Sequence, residues 1–178
     1  MIASGSSFFV LVALTLRATA QSFSHLVTFG DSFTDVGNVF DGGVAWPTYA
    51  TGYADATLHP YAKAGATCSN NITYRPFPPV TESQIPDYVA EVKNGSLSNL
   101  NTNETLHSLW IGTNDLGAAA LLTGDSVGNL AQVTACMVNW VKILYEEAGA
   151  RNFLFQNVCQ RTYFVEVSIG SSSLDDPT

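Results

Sequence analysis

The chain has 178 residues, the length of one ordinary domain, and 46% of them are hydrophobic, which is enough to build a core and argues against a disordered chain. Only 12% of the residues are charged, and the formal net charge is −8. Because a nucleic-acid-binding surface needs clustered lysine and arginine to neutralise phosphates, this composition argues against a nucleic-acid partner.

The N-terminus is typical of a secretory signal. An apolar run at residues 8–16 is followed by the small residues Ala18, Thr19 and Ala20, which fit a signal-peptidase site. The run is too short to span a bilayer as a helix. We therefore predict that residues 1–20 are a cleaved signal peptide and that the mature chain begins at Gln21. The mature protein would be secreted and would have no membrane association.

Three N-x-[ST] sequons agree with export, at Asn71, Asn94 and Asn103. All lie in polar, turn-rich stretches, which is where surface glycans are carried. We therefore predict that the middle third of the chain lies at the surface and is a candidate for N-glycosylation.

The cysteines are Cys68, Cys136 and Cys159, an odd number for an exported chain. One thiol is left over if two of them pair, and the sequence alone does not say which two. Neither a Cys-x-x-Cys pair nor a Cys/His spacing suggests zinc, so no metal site is expected.

Apolar runs alternate with helical stretches along the chain. Strands are predicted at residues 26–29, 109–111 and 153–155, the last continuing to Val158, and on weaker grounds at 61–65. Apolar residues at steps of three and four predict a helix from Leu130 to Ala148, with Gly149 as its C-terminal stop. A shorter helix is predicted from Pro86, and residues 46–60 and 70–79 are predicted loops. This alternation predicts an α/β fold with a parallel sheet.

The most informative segment follows the first predicted strand. Gly30 allows a sharp turn, and Ser32 would then begin a helical turn, where backbone N–H groups lack intrahelical partners. In an open parallel sheet, the carboxyl ends of the strands form the edge where ligands and catalytic groups gather.

Three ordered segments of the chain carry a family resemblance. Residues 30–38 read Gly-Asp-Ser-x-x-Asp-x-Gly-Asn and resemble the first block of the GDSL, or SGNH, hydrolases. Residues 64–70, with Gly65, resemble the second block, and Gly112-Thr113-Asn114-Asp115 resembles the third. Each segment alone is an ordinary turn, but the three together are specific in their order and spacing. The resemblance extends from about residue 25 to residue 158, and residues 61–70 are most similar to secreted carbohydrate esterases that remove acetyl groups.

The resemblance implies a three-layer α/β/α, flavodoxin-like sandwich and a serine esterase. Ser32 would be the nucleophile, while the N–H groups of Ser32 and Gly65 and the amide of Asn114 would form an oxyanion hole. Asp35 and Asn38 would fix loops through bonds to local N–H groups. The remaining motif residues would support the site: Gly30, Asp31, Gly112 and Asp115. The implied partner is an acylated carbohydrate or other small ester bound by a monomer, and neither a metal nor an organic cofactor is implied.

The general base of the family has no counterpart in this sequence. Family members carry an Asp-x-x-His block near their C-terminus, whereas His25, His59 and His107 lie at or before predicted strands, away from Ser32. We therefore expect a sheet that is incomplete at its C-terminus. Residues 21–158 would be the N-terminal portion of the hydrolase domain and residues 159–178 an atypical tail. Esterase activity is expected to be impaired, because a serine hydroxyl is a weak nucleophile without a base.

Two alternatives to an enzyme stay open on the sequence alone. The chain could be a non-catalytic carbohydrate-binding remnant that uses the same cleft, or a non-functional fragment. Trp46, Tyr49 and Tyr53 fit either a sugar-binding cleft or ordinary packing. The acyl and sugar specificity is not fixed by the sequence.

Overall fold

The computed structural model describes residues 22–39, 42–117, 120–121 and 128–156. The predicted signal peptide, the predicted tail at 159–178 and Cys159 lie outside the described residues, as does the extension of the last strand to Val158.

Four strands, four α-helices and one π-helical turn make up the described chain. In chain order they are β1 (His25–Gly30), α1 (Trp46–Ala54), β2 (Thr57–Pro60), a π-helical turn (Val80–Gln84), α2 (Ile85–Lys93), β3 (Thr105–Trp110), α3 (Thr113–Leu116), α4 (Leu130–Glu147) and β4 (Asn152–Phe155).

The strands form one parallel sheet in the order β2-β1-β3-β4. This is the order of the first four strands of a flavodoxin-like sheet, so the predicted α/β fold with a parallel sheet is confirmed. In the register, Gly30 at the end of β1 lies beside Trp110 at the end of β3. The segments that follow these two strands therefore leave the sheet side by side.

One face of the sheet packs against α2 and α4. Val27 and Phe29 of β1 are fully buried there. The ring of Phe29 contacts the rings of Tyr61, Tyr88 and Trp140 at centroid distances of 5.5, 5.6 and 5.6 Å. Since buried aromatic rings contribute large apolar areas, these rings form the centre of the core.

The opposite face of the sheet is covered by α1. Leu26 and Leu106, which are register partners, line an apolar cavity of about 500 Å³ together with Trp46 and Ala50 of α1. Helical segments thus lie on both faces of the sheet, in the α/β/α layering that was expected.

Two predictions for residues 46–65 are wrong. Residues 46–60 contain α1 and β2 rather than a loop, and residues 61–65 follow a strand rather than forming one. Pro47 lies in the first turn of α1, where a proline's missing N–H costs nothing, so its usual role as a helix breaker does not apply. The strand predicted at 109–111 is found at Thr105–Trp110, four residues earlier at its start, and the other predicted strands and helices are confirmed. Gly149 after α4 has a φ of +69°.

A capping box and a disulfide fix α4. The Asn129 side chain accepts from the Gln132 N–H, and the Gln132 side chain accepts from the Asn129 N–H. Cys68, in the chain between β2 and the π-helical turn, is disulfide-bonded to Cys136 of α4. This answers the pairing question that the sequence left open. Closing a loop of this length stabilises a fold by about 4 kcal/mol in the chain-entropy account.

The three sequon asparagines, Asn71, Asn94 and Asn103, are all exposed, as predicted for the middle third of the chain. Among the helices of the described residues, none combines the length and the hydrophobicity that a membrane crossing requires.

His107 is a buried polar group inside the sheet. The side chain is 1% exposed, and its Nε2 atom lies 2.8 Å from the Tyr88 hydroxyl. Burial lowers the pKa of His107 from 6.5 to about 4. The unfolded chain therefore binds a proton at His107 between about pH 4 and pH 6.5, whereas the folded chain does not.

We predict that His107 weakens the fold as the pH falls through this window. Its contribution is neutral above pH 6.5 and destabilising below it. The stability advantage of wild type over His107→Asn should therefore shrink by roughly 2 kcal/mol between pH 7.5 and pH 4.5. Urea unfolding of both proteins at the two pH values gives their free energies of unfolding. The contributions of all other titrating groups cancel in the difference between the two proteins. An unchanged difference would show that His107 titrates normally in the folded protein.

Gly30 at the end of β1 lies too close to β3 for a side chain. Its φ is +147°, and a Cβ built on it would lie 2.2 Å from the Trp110 carbonyl oxygen. Since that oxygen belongs to the backbone of the neighbouring strand, the clash has no cheap relief. By contrast, a Cβ on Gly52 in α1 meets nothing within 4 Å.

We predict opposite effects for the same chemical change at these two glycines. Gly30→Ala should destabilise the protein by about 3 kcal/mol or more, because both φ and the Trp110 oxygen oppose a side chain. Gly52→Ala should stabilise it by roughly 0.5–1 kcal/mol, as expected inside a helix. Thermal unfolding of the two variants checks this, and equal shifts would contradict the close approach at Gly30.

Candidate active site

Ser32 begins a helical turn directly after β1. The Asp31 carbonyl accepts hydrogen bonds from the N–H groups of Thr34 and Asp35, both at 3.0 Å, which defines a turn at residues 31–35. Because it carries the predicted nucleophile, this turn is named the nucleophile turn. The Asp31 side chain accepts from the Phe33 N–H at 3.1 Å and fixes the entry to the turn. Ser32 is partly exposed, and neither its N–H nor its hydroxyl bonds another described residue.

Gln84 holds the strand end from which this turn leaves. Its carboxamide accepts from the Gly30 N–H at 3.0 Å and donates to the Gly30 carbonyl at 2.8 Å. Gln84 is only 1% exposed, so both bonds form away from water. A carboxamide has the same donor and acceptor groups as a peptide unit. The Gln84 side chain therefore makes the hydrogen bonds that the backbone of a neighbouring strand would make with Gly30.

Asp35 ties the nucleophile turn to the segment that carries Gly65. One carboxylate oxygen accepts from the Ala64 N–H at 2.7 Å, and the other accepts from the Gly37 N–H at 2.9 Å. Gly65 has a φ of +79°, and a Cβ on it would lie 2.6 Å from the Phe77 ring. The position thus requires glycine twice over. The Gly65 N–H makes no hydrogen bond with any described residue.

Asn114 lies in α3, just beyond the end of β3. Gly112 precedes this helix with a φ of +118°, which allows the abrupt change from strand to helix. The Asn114 Nδ2 atom donates to the Ala66 carbonyl at 2.8 Å, and its Oδ1 atom accepts from Arg75 Nη1 at 2.9 Å. Because a carboxamide nitrogen carries two hydrogens, a second N–H remains for another acceptor.

These contacts bring Ser32, Gly65 and Asn114 to one edge of the sheet. The nucleophile turn holds residue 64 through Asp35, and Asn114 holds residue 66. The backbone N–H of Asp31 also donates to the Trp110 carbonyl at 3.3 Å, so the first and third segments touch directly. A serine hydroxyl therefore shares an edge with two unbonded backbone N–H groups and one side-chain amide.

Asp115 anchors the segment at residues 112–115 to the chain around Cys68. Its side chain is fully buried, and both carboxylate oxygens lie 3.1 Å from the Cys68 N–H. Burial raises the pKa of Asp115 to about 6, and the nearby charge of Asp31 acts in the same direction. Through Cys68 this carboxylate connects the Asn114 helix to the disulfide with α4.

The histidines do not belong to this edge. His59 and His107 are register partners of Val27, in the middle of their strands. His25 Nδ1 lies 3.2 Å from His59 Nε2, and His107 bonds Tyr88. The sequence has three histidines, so no imidazole lies beside Ser32.

Other predicted residues have varied surroundings. Asn38 is exposed, and none of the hydrogen bonds between described residues involves its side chain. Trp46 donates to the Thr34 hydroxyl at 3.3 Å and so contacts the nucleophile turn, whereas Tyr49 and Tyr53 are 53% and 89% exposed on α1. Within the described ranges, no group of three or more His, Cys, Asp or Glu side chains could hold a metal ion.

Sequence reasoning missed Gln84, Arg75 and Phe77. Their contacts with Gly30, Asn114 and Gly65 cross 54, 39 and 12 residues. The sequence marks Arg75 as an isolated cation in an acidic chain, whereas Gln84 follows the polar residues Thr81, Glu82 and Ser83, so nothing local marks it as a core residue.

Comparison with known proteins identifies relatives for most of the chain. No family model matches the sequence. The chain is 31% identical over 169 residues to an acetylesterase of Hypocrea jecorina, a match that covers 77% of this chain and 48% of that protein. It is 30% identical over 185 residues to an acetylesterase of Thermothelomyces thermophilus, covering 84% of this chain and 59% of that protein. The chain thus spans about half to three-fifths of the length of these relatives.

Proposed function

We propose that this chain carries the nucleophile and the oxyanion-binding part of a serine-dependent carboxylic ester hydrolase of the SGNH type. One observation carries the proposal. The hydroxyl of Ser32 shares a sheet edge with the unbonded N–H groups of Ser32 and Gly65 and with the Asn114 amide. The similarity to two acetylesterases supports the same chemistry.

The proposed reaction is acyl transfer through an acyl-enzyme. Ser32 Oγ attacks the ester carbonyl and loses its proton to a base, and the carbonyl oxygen becomes an oxyanion. The alcohol leaves with a proton as the acyl group stays on Ser32, and water then releases the acid. Three donors converging on the oxyanion stabilise it strongly, since removing one such donor costs about 10²–10³ in rate.

The substrate we propose is an acetylated cell-wall carbohydrate, acted on outside the cell by a secreted, monomeric glycoprotein. The acetyl group follows from the similarity to two acetylesterases. The low content of charged residues, 12%, and the exposed sequon asparagines are what an extracellular surface would have.

We predict slow, Ser32-dependent hydrolysis of an aryl acetate by the purified chain. With no imidazole beside Ser32, the rate should fall about 10⁴-fold or more below that of a complete triad enzyme. Added imidazole should raise the rate by acting as a diffusible base. The Ser32→Ala variant measures the background reaction of imidazole with the ester, which must be subtracted. Fast turnover without imidazole that the variant abolishes would show that another residue acts as base.

A second prediction tests the oxyanion hole without any base. Phenylboronic acid adds to a serine hydroxyl, releases one proton to solvent and forms a tetrahedral anion that resembles the hydrolytic intermediate. We expect the chain to bind it and the Ser32→Ala variant to lose that binding, as measured by boron-11 NMR titration. Asn114→Ala should weaken the binding by roughly tenfold or more, because a donor to the anion is lost. Binding that is equal in wild type and Ser32→Ala would refute the proposed function.

A further inference from the structure

The Asn114 carboxamide is useful in an oxyanion hole only in one of its two orientations. Its nitrogen end donates hydrogen bonds and its oxygen end repels an anion. The two ends have opposite partners here: the Ala66 carbonyl faces Nδ2 at 2.8 Å, and the Arg75 guanidinium faces Oδ1 at 2.9 Å. If the amide were flipped, its oxygen would face the Ala66 carbonyl oxygen and its N–H groups would face the Arg75 guanidinium. Both contacts would be repulsive, so the two partners together fix the orientation.

Arg75 is itself held in place before any substrate binds. Its backbone N–H donates to Asn70 Oδ1 at 3.1 Å, and its guanidinium lies 5.6 Å from the centroid of the Phe77 ring. The same ring packs on Gly65. Arg75 and Phe77 therefore pack together, with the Phe77 ring against Gly65 and the Arg75 guanidinium against the Asn114 amide.

The charge of Arg75 is not cancelled by a contacting carboxylate. The ion pair found between described side chains joins Lys93 to Glu147, at 2.8 Å, and does not include Arg75. The Arg75 charge does reach the buried carboxylate of Asp115, where it acts to lower the pKa. In a chain of net charge −8, this guanidinium is a positive charge held against the amide that would receive an oxyanion.

We propose that Arg75 is a positioning residue of the oxyanion hole. It holds the Asn114 amide with its free N–H directed at the developing oxyanion, and it adds positive potential there. The inference rests on the proposed function of Ser32, Gly65 and Asn114. Preorganised charge of this kind stabilises a transition state because it does not have to reorient during the reaction.

The test compares boronate affinity across variants of one side chain. Arg75→Ala removes the contact and the charge, Arg75→Gln keeps a neutral donor for Asn114, and Arg75→Lys keeps the charge without the planar fork. The matched control is Arg151→Ala, because Arg151 also lies over an aromatic ring, that of Tyr145 at 4.2 Å, but in the segment between α4 and β4. Affinity for phenylboronic acid is measured from pH 6 to pH 9, with the Ser32→Ala signal subtracted.

We expect Arg75→Ala to weaken binding about tenfold and to move complex formation to higher pH, since the anionic adduct loses a nearby cation. Arg75→Lys should restore the pH dependence in part, whereas Arg75→Gln should restore only the affinity that comes from positioning the amide and should leave complex formation at higher pH than in wild type. A merely structural role would make Arg75→Gln and Arg75→Lys equal, because both keep a donor for Asn114 and only Lys keeps the charge.

Three outcomes separate failure of this inference from failure of the proposed function. Binding that persists in Ser32→Ala overturns the function and the inference together. Ser32-dependent binding with Arg75→Ala equal to Arg151→Ala overturns the inference alone. If circular dichroism shows that Arg75→Ala is unfolded, the Gln and Lys variants decide, and affinities and pH profiles equal to wild type in both overturn the inference.

Discussion

The pairing of Gln84 with the backbone of Gly30 is the constraint on which the site depends. β2 leaves the sheet after Pro60, so the last residue of β1 has no complete strand beside it on that side. The Gly30 carbonyl accepts a hydrogen bond from the Lys63 N–H at 3.1 Å. The Gly30 N–H, by contrast, donates to Gln84 Oε1. A buried N–H left without an acceptor costs about 1–3 kcal/mol, so the carboxamide stabilises the strand end and fixes the direction in which the nucleophile turn departs.

The other side of Gly30 is constrained by sterics rather than by hydrogen bonds. There the Trp110 carbonyl would lie within 2.2 Å of a Cβ, so β1 and β3 approach as closely as glycine allows. This approach puts the segment after β1 next to the segment after β3, and Ser32 near Asn114. The buried Asp115 and the Cys68–Cys136 disulfide then lock the third segment to the chain that follows Gly65. One strand end, confined on both sides, thus organises three segments that are distant in sequence.

Sequence alone could predict the parts of this arrangement that local pattern encodes. Residues 26–29 form a short apolar run bounded by a turn signal, and the apolar positions of α4 recur at steps of three and four. The parallel sheet follows from the alternation of such strands and helices. The helix α1 could not be recognised, because Pro47 resembles a breaker and Tyr53 is 89% exposed instead of contributing to an apolar face. Gln84 and Arg75 were missed for another reason: each acts on a partner that only the fold brings near. The motif residues identify the donors, but not the residues that hold them.

The distribution of polar groups separates the two tasks that the proposed ester hydrolysis requires. The proposed oxyanion donors are backbone N–H groups and an amide, which keep their hydrogens at any physiological pH and lie in segments held by hydrogen bonds. The titratable imidazoles lie inside the sheet, and burial keeps the His107 ring neutral, with a pKa of about 4, in a bond with Tyr88. Moving the His107 ring to Ser32 would break this buried pair and open the core, so His107 serves the fold. On the proposed function these segments stabilise a negative oxygen whatever group takes the serine proton, which makes equilibrium binding of an anionic adduct a more direct measure of this site than turnover.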